Sequence, residues 1–170
     1  MIYNEVRDNI KDGDLIAFSG KKLLSRLIQK VTYSVISHVG MAVWIKNRLF
    51  VIEAVEGAGI RFYPLSKYVR EGSKVEWWKL YHDSFNVDRE KVIIFAMDRV
   101  GDAYGLWQLI KDFFLRTKDH KKGNFYCSLY VLEALKEGGY IGEGFDDTNP
   151  SPGEITRLPC FHRQGYLEQL

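Results

Sequence analysis

Three residues in this chain have side chains that together could break an acyl bond: Cys127, His38 and Glu53. Cys127 stands in Asn124-Phe125-Tyr126-Cys127-Ser128-Leu129, where a polar loop enters a helix. A thiol at a helix N-terminus meets unpaired N–H groups and the positive end of the dipole, which favour the nucleophilic thiolate. A lone free cysteine is more often inert packing. His38 opens the strand-like run Ser37-His38-Val39-Gly40-Met41-Ala42-Val43, and a histidine there is more often structural. By strand alternation Gly40 and Ala42 share its face, which leaves room for another element, expected to be the Cys127 helix. Glu53 lies among apolar neighbours in Phe50-Val51-Ile52-Glu53-Ala54-Val55. A carboxylate there needs a cationic or donor partner, and His38 on the adjoining strand is the nearest candidate. The two share a sheet face only if paired residue numbers sum to an odd value, such as 45 with 48. That requires an even-length loop such as Lys46-Asn47; Glu53 then faces Gly40 and lies diagonal to His38, within reach. A three-residue loop would put them on opposite faces. Each residue alone reads as structural. Together they have the chemistry of a cysteine hydrolase: a thiolate attacks, an imidazole takes and returns the proton, and a carboxylate fixes the tautomer.

Other chemistries find less support. There is no HExxH, no DxDxDG loop and no close His/Cys pair, and His38, His82, His120 and His162 are far apart. No metal and no cofactor is expected. Gly57-Ala58-Gly59 lacks the lysine and following helix of a phosphate loop. Cys160 follows Pro159 outside any helix start and reads as structural. Glu56, the rival to Glu53, sits beside Gly57 at a turn and reads as solvated.

The elements that must position these residues are legible in outline. Asp12-Gly13-Asp14 is a turn signal before a short apolar strand at 15–18. Leu23, Leu24, Leu27, Ile28 and Val31 form a helical stripe over 21–31. Runs 39–45 and 49–55 read as a hairpin around Lys46-Asn47-Arg48, followed by strands at 60–63, ended by Pro64, and at 75–81. The period then becomes helical. Asp88 and Glu90 suit a helix first turn, with Val92, Ile93, Ala96, Met97 and Val100 as its stripe. Further helices are expected over 106–115 and 127–137, the latter stopped by Gly138-Gly139. Residues 118–124 and 142–153 read as loops.

With 170 residues, no internal repeat and no linker, the chain 1–170 reads as a single domain. A chain of this size can bury roughly 70% of its surface without disulfides. The composition, 46% hydrophobic and 27% charged, excludes a disordered chain, a collagen and a coiled-coil rod. The balance of 24 basic against 22 acidic residues gives no case for nucleic acid. Charge is unevenly placed, however. Residues 15–52 carry Lys21, Lys22, Arg26, Lys30, Lys46 and Arg48 and no acid, whereas 137–156 carry Glu137, Glu143, Asp146, Asp147 and Glu154 and no base. These are either two solvated faces that attract each other or a basic rim for an anionic substrate or membrane surface. The charged N-terminus lacks a signal-peptide core, and no apolar run is long enough to span a bilayer. A cytoplasmic or virion-associated protein is therefore expected.

Gly13-Asp14-Leu15-Ile16, Ser37-His38-Val39-Gly40, Val51-Ile52-Glu53-Ala54 and Phe125-Tyr126-Cys127-Ser128, in that order, resemble the circularly permuted papain-like hydrolases of the NlpC type, specifically YiiX-like proteins. Ordinary NlpC-type enzymes place the Cys helix before the His strand; here the order is His, Glu, Cys. The resemblance covers about 12–159, including Ser151-Pro152-Gly153-Glu154-Ile155 as a closing loop. It implies an α+β fold, with an antiparallel sheet, helices on one face and the Cys-bearing helix against the His/Glu strands. It also implies Cys127 as nucleophile, His38 as base and Glu53 as orienting acid. Tyr104-Gly105-Leu106-Trp107 only echoes the family's tyrosine motif, so Tyr104 is either an oxyanion or substrate-binding donor or a cleft-wall aromatic. The backbone N–H of Cys127 is the expected main oxyanion donor.

The expected activity is that of a thiol hydrolase working through an acyl-enzyme, with a cell-wall peptide or isopeptide favoured as substrate. A lipid acyl hydrolase or acyltransferase, with peripheral membrane contact, is one alternative. A non-catalytic binder of a small amine, peptide or lipid on the same fold is the other.

Overall fold

A computed structural model describes residues 1–81, 86–103, 126–140 and 150–169. Six strands, β1 (Leu15–Ser19), β2 (His38–Ile45), β3 (Arg48–Val55), β4 (Gly59–Pro64), β5 (Lys74–Leu80) and β6 (Phe161–Leu167), form one antiparallel sheet in the order β4-β3-β2-β1-β5-β6. The described helices are α1 (Tyr3–Val6), α2 (Leu23–Thr32), α3 (Leu65–Arg70), α4 (Arg89–Asp98), α5 (Cys127–Glu137) and α6 (Pro152–Ile155).

The β2–β3 hairpin turns on two residues. Ile45 pairs with Arg48 and Lys46 takes a left-handed backbone (φ 55°). The paired numbers therefore sum to 93, as for Met41 with Ile52, and the register is the odd one that puts Glu53 opposite Gly40. Gly40 is required there. A Cβ at that position would come within 2.6 Å of Val51 Cγ1 and 2.8 Å of the Ile52 carbonyl.

Asp88 caps α4, accepting from the N–H groups of Glu90 and Lys91. Val92, Ile93 and Ala96 of its stripe are buried, whereas Met97 and Val100 are exposed. Helix α5 begins at Cys127 and is buried along most of its length. Gly139, at φ 90°, supplies the left-handed stop. Its start is set by Tyr126, in extended conformation and fully buried.

Both faces of the sheet are covered. Val39, Met41, Val43, Ile52 and Ala54 pack with α4 and α5. Ile16, Phe18, Ala42, Leu49 and Val51 pack on the other side with Leu65 and Val69 of α3 and Tyr3 of α1. Helices α4 and α5 thus share one face, as expected, and the second layer is short and was not anticipated. Its signal is that β1 is buried on both faces, as Leu15-Ile16-Ala17-Phe18, rather than alternating. One expectation is corrected. Gly40 and Ala42 do not lie beneath the Cys127 helix, which instead covers Val39, Met41 and Val43. Gly40 serves the approach of β3.

The α2 stripe is helical as expected, yet no residue of α2 is buried. Strand β6 was not legible. Its middle is polar and exposed, and its pairing with β5 shifts register at Trp77/Trp78, opposite Gly165. The 151–155 stretch, read as loop, holds a short helix with a Ser151/Glu154 capping box. The helix expected over 106–115 and the loops expected at 118–124 and 142–149 lie outside the described residues.

A buried carboxylate ties β1 to the layers around it. Asp14 accepts from Trp77 Nε1 at 2.8 Å, the Leu80 N–H at 3.0 Å and Arg89 Nη1 at 2.9 Å. Arg89 also donates to the Asp12 and Leu80 carbonyls. A buried charge is stable only with such a full set of partners.

Candidate active site

Each of the three residues is placed by an element end. His38 is the first residue of β2, Glu53 lies near the end of β3, and Cys127 is the first residue of α5. Helix α5 lies across β2 and β3 on the face that Met41 and Ile52 line. Its N-terminus brings the Cys127 sulfur to the imidazole, where the two side chains hydrogen-bond.

His38 Nε2 lies 2.7 Å from Glu53 Oε2. With Nε2 taken by the carboxylate, Nδ1 is the ring nitrogen left for the thiol. Glu53 is wholly buried. Its second oxygen, Oε1, accepts from Tyr68 Oη at 2.6 Å and Arg61 Nε at 3.2 Å. Both carboxylate oxygens are therefore hydrogen-bonded, which is the condition for keeping a carboxylate in the core. Phe18 and Tyr68 stack beside the ring at centroid distances of 5.4 Å from His38 and 4.6 Å from each other.

The electrostatics follow from these contacts. Burial works against a charge on His38, but the hydrogen bond and charge of Cys127, then those of Glu53, outweigh it and raise the pKa from 6.5 to about 10. Burial opposes the charge on Glu53 as well; the hydrogen bond and charge of His38, the Tyr68 hydroxyl and Arg61 prevail and hold the carboxyl below its ordinary value. Burial, and then the Glu53 charge, push the Tyr68 hydroxyl up, so it stays a donor to that carboxylate.

The site opens into a cleft of about 910 Å³ lined by His38, Cys127, Tyr63 and Tyr68 on one side and by Leu23 and Leu24 of α2 on another. Glu56 is exposed at the β3–β4 turn and also lines the cleft. Cys160 is fully buried, and burial pushes its thiol up to about 12. Tyr104 lies outside the described residues. Among the described residues no group of three His, Cys, Asp or Glu could hold a metal ion. No described helix is long and apolar enough to cross a membrane.

Arg61 and Tyr68 escaped the sequence reading. Arg61 had a usable signal. It pairs with Glu53 across the β3–β4 ladder, and the parity argument applied to β2 and β3 extends to that turn. Tyr68 had none, because it arrives from α3, an element too short to show a period.

Comparison with known proteins bears on the family and on the fold. The family model described as permuted papain-like amidase enzyme, YaeF/YiiX, C92 family, matches residues 9–143. In fold, the chain is similar to the crystal structure of metalloprotein yiiX from Escherichia coli O157:H7. The TM-score is 0.68 at 21% identity, over 94% of this chain and 98% of that one. No curated protein matches the sequence.

Proposed function

This chain belongs to the permuted papain-like amidases of the YaeF/YiiX, C92 family, and on that premise we propose that Cys127 is the nucleophile of a thiol amidase that works through an acyl-enzyme. The observation that supports this is the continuous chain from Arg61 and Tyr68 through Glu53 and His38 to Cys127.

In this reading His38 Nδ1 takes the thiol proton, and the sulfur attacks the substrate carbonyl carbon. The carbonyl oxygen becomes an oxyanion beside the N-terminus of α5, where the Cys127 N–H is the donor and the helix dipole adds to it. The imidazolium then gives its proton to the leaving nitrogen, and the amine departs. Water attacks the thioester with His38 as base, and the thiolate leaves. Glu53 keeps Nε2 protonated and aimed, so that Nδ1 is the atom that exchanges protons with sulfur and substrate. Arg61 and Tyr68 hold Glu53 in place and ionised.

The substrate class is a peptide or isopeptide amide. An acyl-lipid amide or ester is the second reading, favoured by the apolar cleft wall that Leu23, Leu24 and Ile28 of α2 provide. Tyr104 remains a proposed oxyanion or substrate-binding donor. Incubation with peptidoglycan fragments and with acyl lipids, followed by intact mass spectrometry, tests the proposal. A mass adduct on Cys127 that disappears in Cys127→Ala supports it and names the acyl group. If no substrate gives an adduct while Cys127→Ser still binds one of them, the protein is a binding module on this fold.

A further inference from the structure

Helix α2 has its apolar face in the wrong place for an ordinary surface helix. Leu23, Leu24, Leu27, Ile28 and Val31 form a stripe that should be turned inward and buried. None of the ten residues of α2 is buried; Leu23 is 87% exposed and Leu27 44%. The helix is fastened by its polar side instead. The Gln29 side-chain amide donates to the Gly20 and Val35 carbonyls, at 3.1 and 2.9 Å.

The chain leaving α2 continues the pattern. Tyr33 adopts a left-handed backbone at φ 50°, a conformation that bulky residues seldom take at a helix end. Its ring is 94% exposed, and Val35 beyond it is 69% exposed. Flanking these apolar groups are Lys21, Lys22, Arg26 and Lys30, none of which forms an ion pair among the described residues. At about 100° per residue, Lys30 and then Arg26 follow Leu23 on the edge of the stripe, about 20° and 60° from it on the helix circumference.

An exposed apolar stripe bordered by cations that have no ion pair among the described residues, with an aromatic ring at one end, is the composition of a helix that lies in a membrane interface. Tyrosine suits the headgroup level, and lysine and arginine are attracted to anionic lipid. We propose that α2 and the Tyr33–Val35 segment form a docking surface for an anionic lipid bilayer. Leu23 also lines the cleft that holds His38 and Cys127, so docking sets the cleft mouth at the bilayer surface. The contact itself does not depend on the thiol chemistry.

The experiment is co-sedimentation of the full chain with vesicles of phosphatidylcholine, and with vesicles containing about one-third phosphatidylglycerol. Four proteins are compared: wild type, Cys127→Ala, Leu27→Gln/Tyr33→Asn and Arg26→Gln/Lys30→Gln. None of the last four positions lines the cleft, and asparagine tolerates the left-handed backbone at 33. Wild type and Cys127→Ala should bind the anionic vesicles equally, and raised salt should weaken both. The charge variant should bind about thirtyfold less, at roughly fivefold per cation lost. The apolar variant should bind about tenfold less or worse on both vesicle types, with an unchanged melting temperature.

Absence of wild-type binding, or equal binding by all four proteins, would overturn the proposal. A melting temperature that drops with Leu27→Gln/Tyr33→Asn would overturn it too, by showing that another part of the chain covers α2. So would a dimer that this variant dissociates, by showing a second copy as the occupant. Loss of activity with retained vesicle binding in Cys127→Ala separates this question from that of the thiol chemistry.

Discussion

His38 and Glu53 touch across strands that do not pair them. The ladder puts Gly40 opposite Glu53, and the carboxylate reaches two residues along β2 to meet Nε2 at 2.7 Å. A diagonal contact of this kind needs the directly opposed position to be small. A longer residue at 40 would stand where the Glu53 stem runs, with Glu53 Cβ only 3.1 Å from an added methyl.

Gly40→Ala should therefore destabilise the protein by about 1–3 kcal/mol, because the clash is with the Ile52 backbone as well as side chains. It should also lower kcat by displacing Glu53. Thermal melts and steady-state kinetics measure the two effects. A variant with wild-type stability and rate would mean that β2 and β3 part at no cost.

Glu53→Gln should reduce hydrolysis about 10²–10⁴-fold, since an amide neither stabilises imidazolium nor selects its tautomer as well. Glu56→Gln, at an exposed turn, should stay within about twofold. Similar losses in the two variants would reassign the orienting acid.

The thiols should separate cleanly. Cys127 faces a 23% exposed imidazole at the cleft, whereas Cys160 is enclosed and its pKa is raised to about 12 by burial. Iodoacetamide at neutral pH should label Cys127 first, and His38→Ala should slow that labelling. Peptide mapping reads both rates; faster labelling of Cys160 would contradict the assignment.

Stability should depend on pH through the same pair. The His38 pKa is raised from 6.5 to about 10, so its stabilising contribution is complete below pH 6.5 and is lost as pH climbs towards 10. Glu53 is shifted the other way. Its contribution is present above the ordinary value of 4.5 and is lost as pH falls through its lower native value. Urea unfolding of wild type and His38→Gln should thus differ most near pH 6 and converge above pH 10. A gap that widens with alkaline pH would refute the ion pair.

Tyr68→Phe removes the shortest hydrogen bond to Glu53 Oε1 and should cost about 1–3 kcal/mol. With one donor gone the Glu53 carboxyl should titrate higher, so the acid limb of the pH–rate profile moves to higher pH while the alkaline limb stays. An unmoved acid limb would leave Tyr68 as packing alone.

The sequence by itself determined β1–β5, α2, α4 and α5 in outline, and it left the parity of the hairpin open between a two-residue and a three-residue loop. The α5 start at Cys127 and its stop at Gly138-Gly139 were legible, as was the acidic beginning of α4 at Asp88 and Glu90. Each depends on residues within a few positions of one another, where turn chemistry, capping and period act directly on the backbone. The two-residue turn that the structure adopts puts His38 and Glu53 on one face, where the order of the motifs had already grouped them with Cys127.

Only the tertiary structure decided which segments meet. Tyr68 reaches Glu53 because α3 folds under the sheet. Gly40 makes room for a strand rather than for a helix. Strand β6 gains its partner only from β5, about eighty residues earlier in the chain. Helix α2 shows the difference most plainly. Its period declared a helix and an apolar face, but period carries no information about whether another layer comes to cover that face. Burial is a property of what arrives from far along the chain, and here, among the described residues, Leu23, Leu27 and Tyr33 are left facing outward.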